Sequence, residues 1–337
     1  MKGLKLALGV AALLAGFVAG ANAQAPDFYK GKTITILIGY PPGGGFDAYA
    51  RLLAHYLGRH IPGRPDVIVS NMPGAETLTS VNYLEATAPK DGTFIDAFDP
   101  SNIGASALGV ALMKIDFRKF NWLGSISQGT TGCFVWYTLG INTLADAKAH
   151  GPLHFGRSGA GSPNDMDQKI LKKIFGVDIV QVSGYTGSTD ETLAVQRGET
   201  DGLCGAWTSL PADWIAQKEI VPILRTGPIV PPDFPPGVPY APDIAPSPRD
   251  KQIIRILTAP DEVSRPYIAS ASVPADRMAI LRAGFDATMN DPDFLADAAK
   301  QRLPVSPENA AEAAKTVDAI YATPPDVVAA ARAVAGE

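Results

Sequence analysis

The strongest chemical signal in the chain is Tyr40-Pro41-Pro42-Gly43-Gly44-Gly45-Phe46-Asp47. It follows an apolar, β-branched run at 33–39 that reads as a buried strand. It precedes residues 48–57, whose types and spacing read as a helix. Gly43, Gly44 and Gly45 admit positive φ and let a ligand approach the backbone amides closely. A helix start adds unpaired N–H groups with partial positive charge, so the loop suits an anion. A tight turn with no ligand is the competing reading. Asp47 reads first as an N-terminal cap and second as a ligand contact, because a carboxylate there repels an anion.

Two later stretches repeat the pattern of strand, polar loop and helix. Arg157-Ser158-Gly159-Ala160-Gly161-Ser162-Pro163 joins a strand at 153–156 to a helix at 164–175. Ser183-Gly184-Tyr185-Thr186-Gly187-Ser188 joins a strand at 178–182 to a helix at 189–197. If the three loops converge, they line a cleft with backbone amides and small hydroxyls, which suits a carboxylate. Nucleophilic chemistry is less well supported. Gly156-Arg157-Ser158-Gly159-Ala160 misses G-x-S-x-G at its last position, and no histidine and acid are placed beside Ser158 or Ser162. His150 and His154 have i,i+4 spacing, but Gly151-Pro152 between them breaks a helix, so no metal site is expected. The glycine loop lacks the nucleotide patterns, so no cofactor is expected either. A ligand-binding cleft is the leading reading of the loops themselves. An exported hydrolase acting through Ser158 or Ser162 is the alternative, and a signalling or structural role without transport is a third.

The elements that must position these loops follow from the rest of the chain. Residues 1–23 combine a basic start, an apolar run and Ala21-Asn22-Ala23, the order of a secretory signal peptide cleaved after Ala23. Cleavage takes the formal charge from −5 to −7 by removing Lys2 and Lys5, and leaves 314 of the 337 residues. That length suggests two lobes. The acidic balance argues against a nucleic-acid partner. Alternation of strands and helices over 33–98 predicts a parallel sheet with its ligand site beyond the carboxyl ends of the strands. Residues 121–125 read as a crossover out of the first lobe, and the proline-dense 227–248 as an extended return to it. The expected domains are a signal peptide (1–23), lobe 1 (24–124 plus 250–337) and lobe 2 (125–249). Cys133 and Cys204 could pair in an oxidising compartment.

The motifs in this order resemble the Bug family, periplasmic solute-binding proteins of tripartite tricarboxylate transporters. The likeness rests on Pro42-Gly43-Gly44-Gly45-Phe46-Asp47 with Ala50-Arg51, on Asn71-Met72-Pro73-Gly74-Ala75, and on Ala88-Pro89-Lys90-Asp91-Gly92-Thr93. It continues through 156–162, Tyr185-Thr186-Gly187 and Gly198-Glu199-Thr200-Asp201. The resemblance implies an α/β fold of the type II periplasmic binding class: two lobes, two crossovers and a ligand cleft between them. It implies a small organic carboxylate held by amides, hydroxyls and water, a membrane transporter or sensor as partner, a monomer, and a periplasmic location. It implies ligand contacts from Pro42, Gly43, Gly44, Gly45, Phe46, Asp47, Ser158, Ser162, Tyr185, Thr186 and Trp207. It also implies a disulfide between Cys133 and Cys204, two buried thiols being the alternative. Thr186 stands where the family commonly has lysine, Glu76-Thr77 replaces smaller residues, and Trp207 suggests a bulkier or more apolar acid.

Overall fold

The computed structural model describes residues 28–109 and 115–336. The signal-peptide expectation for 1–23 lies outside the described residues. Among those described, no helix is long and apolar enough to cross a membrane.

Lobe 1 opens with β1 (Thr33–Ile38), α1 (Gly45–Leu57), β2 (Asp66–Asn71), α2 (Leu78–Ala86), β3 (Phe94–Ala97), α3 (Ser101–Ala107) and β4 (Asn121–Ser125). Lobe 2 follows with β5 (Thr131–Trp136), α4 (Leu144–His150), β6 (Leu153–Arg157), α5 (Pro163–Lys173), β7 (Ile179–Ser183), α6 (Ser188–Gln196), β8 (Gly202–Ala206), α7 (Ala212–Gln217), β9 (Ile220–Arg225) and α8 (Pro248–Thr258). The chain then returns through β10 (Pro266–Ala269), α9 (Ala275–Met289), α10 (Pro292–Lys300), β11 (Glu308–Asn309) and α11 (Ala310–Tyr321), and closes with α12 (Pro325–Ala335).

Each lobe is built on one mixed sheet. The first has strand order β11-β4-β10-β3-β1-β2, with β1 parallel to β2 and β3 and with β10 antiparallel to β3 and β4. The second has order β7-β6-β8-β5-β9, with β6 parallel to both neighbours and β5 antiparallel to both of its own. Ile34, Ile36 and Ile38 of β1 are buried against Tyr49, Leu52, Leu53 and Tyr56 of α1. That packing sets where the glycine loop emerges. At roughly 25 cal/mol per Å² of apolar surface, each such side chain contributes about 1.5–3 kcal/mol.

Three boundaries differ from the sequence expectation. Residues 121–125 are strand β4 inside the first sheet, not a crossover; the passage to lobe 2 follows them. The 227–248 segment does not lead back to lobe 1. It leads to α8, whose Ile253, Ile254, Ile256 and Leu257 lie in the lobe 2 core, so the return falls at 259–265. Helix α12 also belongs to lobe 2, burying Val327, Ala331 and Ala335 in that core. The apolar stripe of an amphipathic helix specifies that it covers a sheet, not which sheet. The chain therefore passes between lobes three times.

Cys133 and Cys204 face each other across β5 and β8 and are joined by a disulfide, with Cα atoms 4.0 Å apart.

Candidate functional site

The glycine loop after β1, the serine loop after β6 and the Tyr185-Thr186 loop after β7 meet at the interface of the lobes. Together with β8 and the 261–265 return they enclose a cavity of about 210 Å³.

The three loops share one device. In each helix the third residue is an aspartate that reaches back to an amide of the preceding loop. Asp47 accepts from Gly43 N at 3.0 Å, Asp165 from Gly161 N at 2.8 Å, and Asp190 from Thr186 N at 3.0 Å. The helix starts are thus held firmly, but each already has a carboxylate beside its positive end. Burial works against the ionised form of Asp47. Even so, Arg51 at 2.8 Å, Asn71 at 2.9 Å and the Gly43 amide hold its carboxyl below the usual range. Burial likewise opposes Asp165, and the Gly161 amide, Lys169 and Arg157 together hold it low. Thr186 does the same for Asp190 through its hydroxyl and amide.

The sequence-derived site residues separate into two groups. Pro42, Gly44, Gly45, Phe46, Ser158 and Thr186 line the cavity. Gly43, Asp47, Ser162, Tyr185 and Trp207 stand behind it. Gly43 carries the one positive φ of the glycine triplet, +96°, whereas Gly44, at φ −85°, caps α1. Asp47 is not the cap; it sits two residues inside the helix and braces the loop. Ser162 caps α5: its buried hydroxyl accepts from Asp165 N and donates to Gly159 O at 2.8 Å. The Tyr185 ring covers Gly156, where a Cβ would come within 2.9 Å of it. Trp207 is turned into an apolar cluster with Phe134 and Phe234, its Nε1 donating to Asp233 at 3.0 Å. Burial of that large ring in the lobe 2 core removes the reason for expecting a bulky acid.

Among the described residues, no base stands at either serine of the hydrolase alternative. Ser158 meets Asn164 Oδ1 at 3.4 Å, Ser162 bonds as above, and His154 pairs with Asp201 at 3.1 Å. Among the described residues, no cluster of His, Cys, Asp and Glu has the makings of a metal site.

Other cavity residues fall outside the ligand contacts expected from the sequence. Tyr40, at the carboxyl end of β1, places its hydroxyl 2.5 Å from Asp99 Oδ2 and 3.3 Å from Glu76 Oε2. Asp99 follows β3 and also accepts from the Ser101 amide and hydroxyl. A polar residue just past a parallel strand is a signal available in sequence. On the lobe 2 side, Asn164 donates to Glu191 Oε1. Asp261 accepts from the Thr131 hydroxyl at 2.7 Å. Burial pushes Asp99 up, Glu76 up to about 7, Glu191 up to about 8 and Asp261 up to about 6.

Arg265 is the single cation on the cavity wall among the described residues. It is 7% exposed and forms no ion pair among the described residues. Its Nη1 donates to Ser264 O at 2.8 Å and Ser264 Oγ at 2.9 Å, and its Nε has no partner. The guanidinium lies 4.5 Å from the Phe46 ring centre and 5.2 Å from that of Tyr49. A buried guanidinium with unused donors is costly unless a ligand completes it. It is also the side chain best shaped for a carboxylate. Nothing in the sequence marks Arg265, because only the 259–265 return brings it under the glycine loop.

No family model matches the chain. It is 27% identical over 206 residues to a "UPF0065 protein in the TAR-I ttuE-ttuC' intergenic region" from Agrobacterium vitis, covering 59% of this chain and 58% of the relative. It is 29% identical over 160 residues to a "UPF0065 protein in gbd 5'region" from Cupriavidus necator, covering 48% and 46%. The chain thus spans about half the length of the curated relatives it matches. Among solved structures, periplasmic binding protein BugD superposes with a TM-score of 0.73 at 17% identity, covering 91% of this chain and 99% of that one. MatC from Rhodopseudomonas palustris with bound malate gives 0.70 at 17%, covering 88% and 99%. R. palustris Rpa4515 with adipate gives 0.70 at 19%, covering 90% and 97%. The likeness to Bug proteins drawn from the motifs thus extends over both lobes, and the fold is that of these two-lobed solute-binding proteins.

Proposed function

We propose that this protein is a periplasmic solute receptor that closes its lobes on a small organic carboxylate for delivery to a membrane transporter or sensor. The observation that carries the reading is the inter-lobe cavity with Arg265 buried in its wall and the Nε and Nη2 of its guanidinium without protein partners among the described residues. Arg265 takes the carboxylate in a two-pronged contact, and the loop amides near Gly44, Gly45 and Ser188 surround it. Pro42, Phe46, Ser158 and Thr186 complete the contact surface, while Gly43, Asp47, Ser162, Tyr185 and Trp207 hold it in shape. The solved structures with malate and adipate, on the same fold, favour this class of ligand. So do the leader-like residues 1–23, for the location. The reading makes the protein a carrier and assigns no reaction to Ser158 or Ser162.

The test is a thermal-shift screen against mono-, di- and tricarboxylates and amino acids, followed by calorimetry. Ligand at a hundred times its Kd stabilises by about 2.7 kcal/mol. A protein that no organic acid stabilises at millimolar concentration, or one that converts the acid to product, overturns the reading.

A further inference from the structure

The cavity wall is not built for an anion alone. Against the single guanidinium of Arg265 it sets four carboxyl groups, Asp99, Asp190, Glu191 and Asp261, with Glu76 just behind Tyr40. Asp190 is spent on Thr186. Asp99 has both oxygens engaged, by Tyr40 and by Ser101. Glu191 has one oxygen on Asn164 and the other without a protein partner among the described residues, and Asp261 has one oxygen on Thr131. The helix starts add little positive field, since Asp47, Asp165 and Asp190 each sit within the first turn. A plain dicarboxylate would bring two further charges into this wall and find one guanidinium to meet them. Thr186 offers no positive charge to a second carboxylate.

Resting on the receptor reading above, we propose that the solute is amphoteric: its carboxylate sits on Arg265 and an ammonium group sits against the open oxygen of Glu191. An ammonium carries three donors and no acceptor, which matches open carboxylate oxygens. It also supplies the counter-charge that lets buried carboxylates ionise at modest cost. In the empty protein, burial holds Glu191 protonated below about 8. Binding an ammonium therefore expels that proton. Phe46, Leu203 and Leu210 line the wall as well, leaving apolar room for a short hydrocarbon stretch between the two poles.

The experiment compares matched acids that differ by one amine: L-glutamate with glutarate, L-leucine with 4-methylpentanoate, and 5-aminopentanoate with pentanoate. Thermal shift ranks each pair, and calorimetry at pH 7 in phosphate and in Tris counts protons exchanged. The expected result is that an amino member binds at least tenfold more tightly than its partner and releases up to one proton. Glu191→Gln should then weaken the amino acid tenfold or more and leave the plain acid equal or better. The neutral amide can still accept from Asn164, so the fold survives. Plain acids that bind as well as or better than their amino partners overturn the proposal while leaving the receptor intact. Stabilisation by neither class overturns the receptor reading too. Should Glu191→Gln fail to fold, the ranking of the matched acids and the proton count on the parent protein decide.

Discussion

Arg265→Gln separates binding from folding. In the parent, Nη1 is occupied by Ser264 and Nε is shielded from solvent, which leaves the two N–H groups of Nη2 for a ligand. Two hydrogen bonds to a carboxylate contribute about 1.5–3 kcal/mol each, so their loss costs about 3–6 kcal/mol. At about 1.4 kcal/mol per decade, affinity falls by about 10² to 10⁴. Stability moves much less, because the opposing changes are similar in size. Removing an orphaned buried donor recovers about 1–3 kcal/mol. Losing the guanidinium from the faces of Phe46 and Tyr49 costs about 1–2 kcal/mol. Asp99 and Asp261 lose a nearby positive charge and answer by staying protonated. The empty variant should therefore melt within a few degrees of the parent. Arg265→Lys keeps the charge without the planar fork and should fall between the two. Calorimetry with the acid found by screening, together with melting of ligand-free protein, is the assay. If Arg265→Gln stays folded and binds within about threefold of the parent, the carboxylate does not sit on Arg265.

Three further outcomes are expected. Asp165→Asn leaves Arg157 and Lys169, each 2.7 Å from the carboxylate, without a counter-ion. It should cost about 3 kcal/mol at neutral pH, the low end for a buried pair because both cations reach solvent. The folded-state pKa of Asp165 is depressed, so the parent's advantage is full above the unfolded carboxylate range and lost as pH falls through the folded value. Denaturation at pH 7 and pH 2 should show the gap close. Replacing both Cys133 and Cys204 by alanine opens a 71-residue span and should lower stability by roughly 4 kcal/mol, read from urea midpoints. Two free thiols in denatured, unreduced parent would remove the basis for that figure. Gly159→Ala places a Cβ where Glu76 Oε1 now lies, across the lobe interface. It should weaken binding while leaving the ligand-free melt near the parent's, and unchanged affinity would show that the lobes do not close there.

Much of this architecture is legible in the residues themselves. Strands β1, β6 and β7 announce themselves as apolar runs followed by glycine and small hydroxyls. The proline that opens α5 and the aspartates in the first turns of α1, α5 and α6 mark where these helices begin. What is not legible is proximity across the chain. Arg265 precedes a four-residue strand, and only the sheet order, which sets β10 between β3 and β4, carries it beside Phe46. Asp99 sits in plain view after a strand, yet its role depends on Tyr40 reaching it from the next strand over. Trp207 misleads because a large aromatic after a strand suits a cleft or a core equally well. Here Phe134 and Phe234 provide a core. Helices α8 and α12 misassign because amphipathicity names no partner.

The placement of α12 bears on how the chain reaches its native state. Neither lobe is a contiguous stretch. Lobe 1 joins 33–38 to 266–321, and lobe 2 joins 131–225 to 325–335. A chain emerging N-terminus first cannot bury Ile253, Ile254 or Leu257 under α12 until residues 327–335 have followed. Pairings this distant in sequence form slowly. Both halves therefore stay open throughout emergence, which keeps the polypeptide threadable but leaves apolar strands in need of protection from one another.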